Sequence, residues 1–227
     1  MSYLVVVAHP DDEALGAGGI IHKLSSQGKE VNVCIISANV TVRQHRPSDD
    51  ELYTDMNNAL DILGVNNRIL GEFPNIKLNN VDHLEIVQFI EKAIEDTAAD
   101  VIITHHPADL NNDHLHVSLA CQAASRLYQR RDDIPNLKAL YFMEINSSTD
   151  WSFNKSLNSF NPNTFIEIGK DGLNRKIQAC NEYRNVMRPY PHPRSEESIK
   201  GLSAYRGSQS GLKYAEALEC VFRSNDI

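Results

Sequence analysis

Two short segments of the sequence concentrate side chains that can bind a metal ion or move a proton. The first, residues 8–13 (AHPDDE), follows an apolar run. His9 and Asp12 flank a proline-stiffened turn and can offer one nitrogen and one oxygen to a divalent ion, which leaves Asp11 to point elsewhere. Both aspartates begin a helix-like segment, whose partial positive charge favours carboxylates. A simple helix cap explains Asp12 or Glu13 alone, but it leaves the neighbouring histidine unexplained.

The second segment, residues 104–116 (THHPADLNNDHLH), runs from a strand-like into a helix-like stretch. His114 is its candidate ligand, although a lone histidine here is more often a surface residue, and His116 faces another way around the helix. A strand order of 3-2-1-4-5 would place the two segments on neighbouring strands, at the point where the order reverses. His9, Asp12 and His114 would then share one ion, with positions left open for water and substrate, as in catalytic zinc sites.

Gly16, Gly18 and Gly19 invite comparison with the fingerprint of dinucleotide-binding proteins. The turn before them is acidic and would repel a pyrophosphate. The second predicted strand also ends at residues 37–39 (SAN) without the acidic residue that binds a ribose. We therefore expect no nucleotide of that type, and we interpret the glycines as allowing the first helix to pack closely on the sheet.

The order of the predicted elements indicates how these segments are positioned. Strands are predicted at 3–8, 31–38, 68–73, 100–106 and 137–144, and helices at 13–27, 49–63, 81–98 and 113–130. This alternation predicts an α/β fold, a Rossmann-like, mostly parallel sheet with helices on both faces. Later residues predict an edge strand at 164–169, helices at 170–187 and 196–205, and a non-helical, proline-rich stretch at 188–195.

No linker divides the 227 residues, so we expect a single domain in which 1–145 form the Rossmann-like core and 146–227 complete the pocket. The net charge of −8 and the lack of a basic cluster argue against nucleic acid as a partner. Apolar runs are far shorter than the roughly 20 residues of a membrane span, and no basic leader precedes the first strand. The cytoplasm is the expected compartment, and a homo-oligomer is left open.

The cysteines show no paired spacing of the kind that builds zinc ribbons or disulfide frameworks. We interpret all four as small buried apolar side chains. They are Cys34, Cys121, Cys180 and Cys220.

In combination, AHPDDE at 8–13 and DLNNDH at 109–114 resemble the motifs of the PIG-L/LmbE-like family of metal-dependent de-N-acetylases. The similarity extends to PHPRS (191–195), YRGSQSG (205–211) and YAEAL (214–218), and so covers most of the chain. Members are Rossmann-like hydrolases that remove an acyl group, usually acetyl, from the amino group of a sugar. The resemblance implies that the metal ligands are His9, Asp12 and His114. It also implies that Asp11 is the general base toward a metal-activated water that attacks the amide, and it gives His116 no matching role.

The sequence departs from the family pattern at two places. Many members have a histidine, thought to stabilise the oxyanion, where this chain has Asn111, which can donate a hydrogen bond but carries no charge. An arginine often found at the start of the second helix is also missing, and Leu52 stands near its place. His192 and Arg194 are candidates for polarising the amide and binding the sugar. The alternative is that they belong to a surface loop without a role in the site. Asp109 and Asn111 are further candidates for substrate contacts.

The resemblance implies a zinc-dependent deacetylase acting on an N-acetylglucosamine-type substrate. Ferrous iron also suits two histidines and one aspartate. A free, nucleotide-linked or lipid-linked sugar and an antibiotic precursor all remain open as substrates, and Arg43 and Arg46 are either contacts for an anionic group or surface charges. The alternatives are an amidase of the same family type that cleaves a thiol conjugate or another acyl-amine, and a non-catalytic sugar-binding relative.

Overall fold

The computed structural model describes residues 1–39, 47–153 and 159–224, so Arg43 and Arg46 lie outside the described residues. The strands are β1 (Ser2–Val7), β2 (Glu30–Ile35), β3 (Asn67–Leu70), β4 (Val101–His105), β5 (Ala139–Met143), β6 (Thr164–Glu167) and β7 (Ala215–Arg223). The helices are α1 (Asp12–Ser26), α2 (Asp49–Leu63), α3 (His83–Thr97), α4 (Asn112–Ala124), α5 (Gly169–Glu182) and α6 (Glu196–Ser210). In these ranges no helix is long and apolar enough to cross a membrane.

Within the described ranges, seven strands form one sheet in the order β3-β2-β1-β4-β5-β7-β6. Strands β1 to β5 pair in parallel, as the alternation of strands and helices predicts. The expected order 3-2-1-4-5 is therefore confirmed, and the exits of β1 and β4 are neighbours at the carboxyl edge of the sheet.

The outer part of the sheet differs from the prediction. Strand β6 lies at the edge as expected, but β7, which was not predicted, is inserted between β5 and β6 and runs antiparallel to both. Two helices separate β6 from β7 in the chain, so sequence order does not reveal this pairing. The sheet nevertheless joins the C-terminal third of the chain to the parallel core.

Alternate residues of β1 face two separate apolar layers. Leu4 and Val6 pack in the layer that holds α3 and α4, whereas Val5 and Val7 pack in the layer that holds α1, α2 and α5. All four side chains are fully buried. A strand covered on both faces reads as a continuous apolar run rather than an alternating one, which is why residues 3–8 predict it so clearly.

Helix α1 bends at Ala17, whose φ of −136° and ψ of 15° are not helical. The bend leaves backbone N–H groups without helical partners, and those of Gly19 and Ile20 donate to the carboxylate of Glu216 on β7, at 3.0 and 2.7 Å. Nζ of Lys176, on α5, lies 2.7 Å from the same carboxylate, and both charged side chains are buried. A buried ion pair therefore holds the two halves of α1 against β7.

The glycines of α1 allow close packing. A Cβ on Gly16 would lie 2.6 Å from Sδ of Met143 on β5, so the interpretation of close contact with the sheet holds at this position. At Gly18 and Gly19 a Cβ would instead meet Lys176 and Ile168. The first helix is thus pressed against both the sheet and α5.

Three helix ends differ from the predictions. Helix α4 stops at Ala124 rather than residue 130, α5 stops at Glu182 rather than residue 187, and α6 continues to Ser210, where Gly211 caps it with a φ of 72°. The prediction for the cysteines is correct for Cys34, Cys121 and Cys180, which are buried and free. It is wrong for Cys220, which is only partly covered on β7.

Candidate metal centre

The turn after β1 places three polar side chains in the interior. Oδ2 of Asp12 accepts a hydrogen bond from the N–H of His9 at 3.0 Å and lies 3.3 Å from Nδ1 of the same residue. Asp11 is the N-cap residue of α1, but its side chain makes no cap hydrogen bond. The Asp11 carboxylate is therefore not used as a helix cap.

Helix α4 begins just after the exit of β4 and carries His114 in its first turn. Nε2 of His114 lies 3.2 Å from Oδ2 of Asp12, and the rings of His9 and His114 have centroids 5.7 Å apart. His9, Asp12 and His114 each offer one potential ligand atom, and these three atoms all lie within 4.8 Å of one another. The structure thus brings together the three residues predicted to bind a metal.

Each histidine of this group is held by a second carboxylate. Nε2 of His9 lies 2.9 Å from Oδ2 of Asp113, and Nδ1 of His114 lies 2.9 Å from Oδ2 of Asp109. The remaining nitrogens, Nδ1 of His9 and Nε2 of His114, therefore face Asp12. Carboxylates that hold the far nitrogen of an imidazole are typical of histidines that bind metals, because they fix the tautomer and orientation of the ring.

Asp113 is anchored by the loop that follows β3. Its Oδ2 accepts a hydrogen bond from the N–H of Ile76 at 2.6 Å, and its Oδ1 accepts one from the N–H of Leu78 at 3.1 Å. Asp113 is not among the residues predicted to bind metal or substrate. Only the fold reveals it, because its partners lie 104 and about 35 residues away along the chain.

Asp109 is anchored by the loop that follows β5. Its Oδ1 accepts a hydrogen bond from Oγ1 of Thr149 at 2.6 Å, and that oxygen in turn accepts one from the N–H of Ile145 at 2.7 Å. The Asp109 side chain is fully buried behind His114. This residue, predicted as a substrate contact, is instead placed where it orients the ring of His114.

His105 lies at the end of β4 and packs against His114. Its ring stacks on that of His114, with centroids 3.8 Å apart, and its Nε2 accepts a hydrogen bond from the N–H of Ala8 at 2.8 Å. Burial, and then the nearby charge of His114, hold the pKa of His105 well below its usual value, so this ring is neutral. His105 therefore joins the exits of β1 and β4 without adding charge.

The centre is built to hold positive charge. Burial raises the pKa of Asp12, but the charge of His114 and hydrogen bonds from His114 and His9 outweigh burial and hold this pKa well below its usual value. Burial lowers the pKa of His114, but Asp12 and Asp109 outweigh it and raise the value to about 10. The carboxylates of Asp12 and Asp109 thus favour positive charge at the His114 ring.

The two motifs that build this centre lie within a segment that matches a known protein family. Residues 4–125 match the family described as PIG-L, GlcNAc-PI de-N-acetylase, which is more than half of the chain. The chain belongs to the PIG-L family. Among curated proteins, none gives a significant match.

Solved structures share the whole PIG-L fold of the chain. The conserved protein TT1542 from Thermus thermophilus is 24% identical with a TM-score of 0.80, and the alignment covers 100% of this chain and 98% of that one. The N,N'-diacetylchitobiose deacetylase from Pyrococcus horikoshii is 16% identical with a TM-score of 0.78, covering 97% and 83%. GalB, the 4-carboxy-2-hydroxymuconate hydratase from Pseudomonas putida, is 21% identical with a TM-score of 0.76, covering 100% and 99%.

In this PIG-L chain the carboxylate predicted as the base sits on an unusual backbone. Asp11 has a φ of 105° and a ψ of −27°, a left-handed conformation that is uncommon for a residue other than glycine. Its side chain is 1% exposed, and its Oδ2 accepts a hydrogen bond from the guanidinium of Arg194 at 3.2 Å. Strained backbone of this kind is often found at active sites, where the surrounding structure holds it.

The other predicted substrate contacts are hydrogen-bonded to residues of the two motifs or to one another. Arg194 also donates to Oγ of Ser147 at 2.7 Å, so it joins the C-terminal loop to the β5 exit. His192 is exposed, and its Nδ1 accepts a hydrogen bond from the N–H of Arg194 at 3.0 Å. Oδ1 of Asn111 accepts one from the N–H of Asp113 at 2.9 Å and so caps α4. His116 is half-buried on α4, two residues beyond His114.

A buried carboxyl group supports the turn that carries Asp11. Glu13 accepts a hydrogen bond from the N–H of Asp11 at 3.2 Å and another from the hydroxyl of Tyr183 at 2.5 Å. Burial, together with the charges of Asp11 and Asp12, raises the pKa of Glu13 to about 8. This PIG-L chain therefore keeps a largely protonated carboxyl group within the turn that carries Asp11 and Asp12.

Proposed function

We propose that the protein is a metal-dependent amide hydrolase that removes the acetyl group from the amino group of a sugar. The observation that carries this proposal is the buried group of His9, Asp12 and His114 beside the carboxylate of Asp11. Membership of the family of GlcNAc-PI de-N-acetylases supports it, and so does the similarity to an N,N'-diacetylchitobiose deacetylase.

The donor set fits zinc and also ferrous iron. Two imidazole nitrogens and one carboxylate oxygen would hold the ion at His9, Asp12 and His114, and Asp113 and Asp109 would orient the two rings. A bound ion of this kind supplies Lewis acidity toward the amide oxygen and lowers the pKa of water to near neutrality. We propose zinc as the first ion to test.

Asp11 moves the proton in this proposal. Its carboxylate accepts a proton from the attacking water and later gives it to the nitrogen of the departing amine. Arg194 holds Oδ2 of Asp11 at 3.2 Å, and the N–H bond to Glu13 fixes the backbone of the turn. These contacts keep the base in one orientation, which is the contribution expected from rigidly placed catalytic groups.

Donors for the oxyanion come from two loops. Because Nδ1 of His192 accepts a hydrogen bond, the neutral ring carries its proton on Nε2, which can donate to the amide oxygen. Asn111 uses its carbonyl oxygen as a cap, and its Nδ2 group is the part that can donate to the substrate. In the proposal both groups stabilise developing negative charge, and Arg194 also contacts the sugar.

The test is acetate release from a panel of N-acetylated substrates, with metal content measured on the same sample. The panel contains free N-acetyl sugars, nucleotide-linked and lipid-linked forms, and N-acetylated thiol conjugates. Release from sugars, proportional to bound metal, is the expected result. Turnover of thiol conjugates alone would favour the related amidase, and metal-replete protein that binds these sugars without any turnover would indicate a non-catalytic relative.

Hydration of a carbon–carbon double bond is the second candidate, because a hydratase is among the similar structures. The same group of ligands and base could activate water for addition rather than hydrolysis. Loss of absorbance from an unsaturated hydroxy acid, without acetate release, would favour this reaction.

The cytoplasm remains the proposed compartment, and cell fractionation tests it.

A further inference from the structure

A pocket of about 310 Å³ lies beside the metal centre, between the loop after β5 and helix α6. The loop contributes Glu144, Asn146 and Thr149, and the helix contributes Leu202 and Arg206. A third segment adds the ring of Phe160. The volume is at the lower end of the range of about 300–1,000 Å³ for small-molecule sites, which suits a single ring.

Two chains of contacts join this pocket to the metal centre. Thr149 lines the pocket, and its Oγ1 lies 2.6 Å from Asp109, which holds the ligand His114. Asn146 also lines the pocket, and its Nδ2 donates to the carbonyl of Pro193 at 3.2 Å, one residue before Arg194. The pocket therefore lies next to the centre and is linked to it by two short chains of hydrogen bonds.

The charges of the pocket exclude an anionic ligand. Nε and Nη2 of Arg206 donate to the two carboxylate oxygens of Glu144 at 2.7 and 2.6 Å, and both side chains are only 13% exposed. This bidentate pair cancels the positive charge of the guanidinium, while Asp150 adds a carboxylate to the lining. A phosphate would find no uncompensated cation among the lining residues.

The lining offers an apolar face and an unused acceptor. The guanidinium carbon of Arg206 lies 5.7 Å from the centroid of the Phe160 ring, so the ring and the ion pair form one wall. Asn146 is 8% exposed, and its Oδ1 has no hydrogen-bond partner among the described residues. Because Nδ2 is fixed by Pro193, Oδ1 is the atom that can accept a hydrogen bond from a hydroxyl group. Buried polar atoms without partners are rare and call for such an explanation.

We propose that this pocket binds a second, neutral sugar ring of the substrate, linked to the ring that carries the N-acetyl group. The inference rests on the proposed deacetylase function and names its substrate class as a neutral disaccharide or longer glycoside. Phe160 packs against the apolar face of the ring, and Asn146, Glu144 and Arg206 bind its hydroxyl groups.

The kinetic test compares N-acetylglucosamine, the neutral disaccharide N-acetyllactosamine and the anionic UDP-N-acetylglucosamine. We expect kcat/KM to be highest for the disaccharide. Phe160→Leu should lower it about tenfold through KM, while the value for the monosaccharide changes less than about twofold. Phe222→Leu, a partly exposed ring at the far end of β7, is the matched control. Equal effects on mono- and disaccharide, or a preference for the nucleotide sugar, would overturn the proposal.

A binding measurement separates this inference from the proposed function. Saturation-transfer NMR with methyl glycosides of glucose, galactose and mannose requires no turnover. We expect at least one glycoside to show transfer in the natural protein and in Phe222→Leu, and not in Phe160→Leu. Failure of all three to bind would overturn the subsite, whereas binding without acetate release from any N-acetyl sugar would contradict only the proposed reaction.

Discussion

Oδ2 of Asp109 lies 2.9 Å from Nδ1 of His114, and this contact turns the opposite nitrogen of the ring toward Asp12, 3.2 Å away. The carboxylate does not face the substrate side, because His114 and Thr149 occupy its two oxygens. The orientation of His114 toward Asp12 therefore depends on Asp109, which belongs to the second motif and lies behind the candidate ligands.

Asp109→Asn should weaken metal binding by about 10- to 100-fold, the usual effect of losing the partner of a ligand histidine. An amide can present its NH2 group to Nδ1 and favour the wrong tautomer. Competition with a chromogenic chelator measures the affinity, and Asp133→Asn, on an exposed side chain, is the control. Unchanged affinity in Asp109→Asn would show that this contact does not position the ligand. Thr149→Val should weaken binding less, and Thr149→Ser should restore it.

Asp11→Asn should keep the metal and lose most of the turnover. Asparagine tolerates the left-handed backbone at this position and has nearly the same shape, but its amide cannot accept a proton from water. A general base contributes about 10²- to 10⁴-fold, so kcat should fall by that amount. His114→Ala should instead lose metal and activity together. Metal analysis and acetate release on the same samples distinguish the two, and near-normal activity of metal-replete Asp11→Asn would refute the base assignment.

The ligands could be predicted from the sequence because two signals coincide. His9, Asp12 and His114 follow strands that read as continuous apolar runs, and the alternation of strands and helices indicates that their exits are neighbours. The family resemblance then gives them roles. The three side chains do meet within 4.8 Å, as this reasoning requires.

The supporting residues could not be predicted in the same way. Asp113 depends on backbone N–H groups of the β3 exit, and His105 depends on stacking against His114, so neither contact leaves a local pattern. Strand β7 was not predicted because its partners are distant in sequence and it pairs antiparallel with both of them. Such features arise from tertiary packing, which spacing along the chain does not record.

Glu216→Ala should lower the free energy of unfolding by about 3–5 kcal/mol, because it leaves the ammonium of Lys176 buried without a partner. It also removes the acceptor for the N–H groups of Gly19 and Ile20 at the bend of α1. Urea unfolding at fixed metal content measures the change. Glu219→Ala, on the same strand and with a side chain that is 23% exposed, should change stability much less. A loss below about 1 kcal/mol in Glu216→Ala would mean that the buried pair does not hold the helix.

Asn75 is a buried polar residue that, unlike Glu216, has no hydrogen-bond partner among the described residues. It lies in the loop after β3, is 1% exposed, and neither atom of its amide group has a partner among the described residues. The next residue, Ile76, has a φ of 58° and donates its N–H to Asp113, the carboxylate that holds His9. A buried amide without partners costs about 1–3 kcal/mol, a cost that a fold tolerates most readily at a functional site.

Asn75→Leu should therefore raise the free energy of unfolding, because the apolar side chain removes the unpaired amide. It should also lower kcat/KM about tenfold, because any hydrogen bond from this amide to water or substrate is lost. Asn79→Leu, at an exposed position of the same region, should leave both quantities nearly unchanged. Urea unfolding and acetate release at equal metal content measure the two effects. If Asn75→Leu is more stable and fully active, the amide has no part in the reaction. If it is less stable, a partner such as an ordered water satisfies the amide in the folded protein.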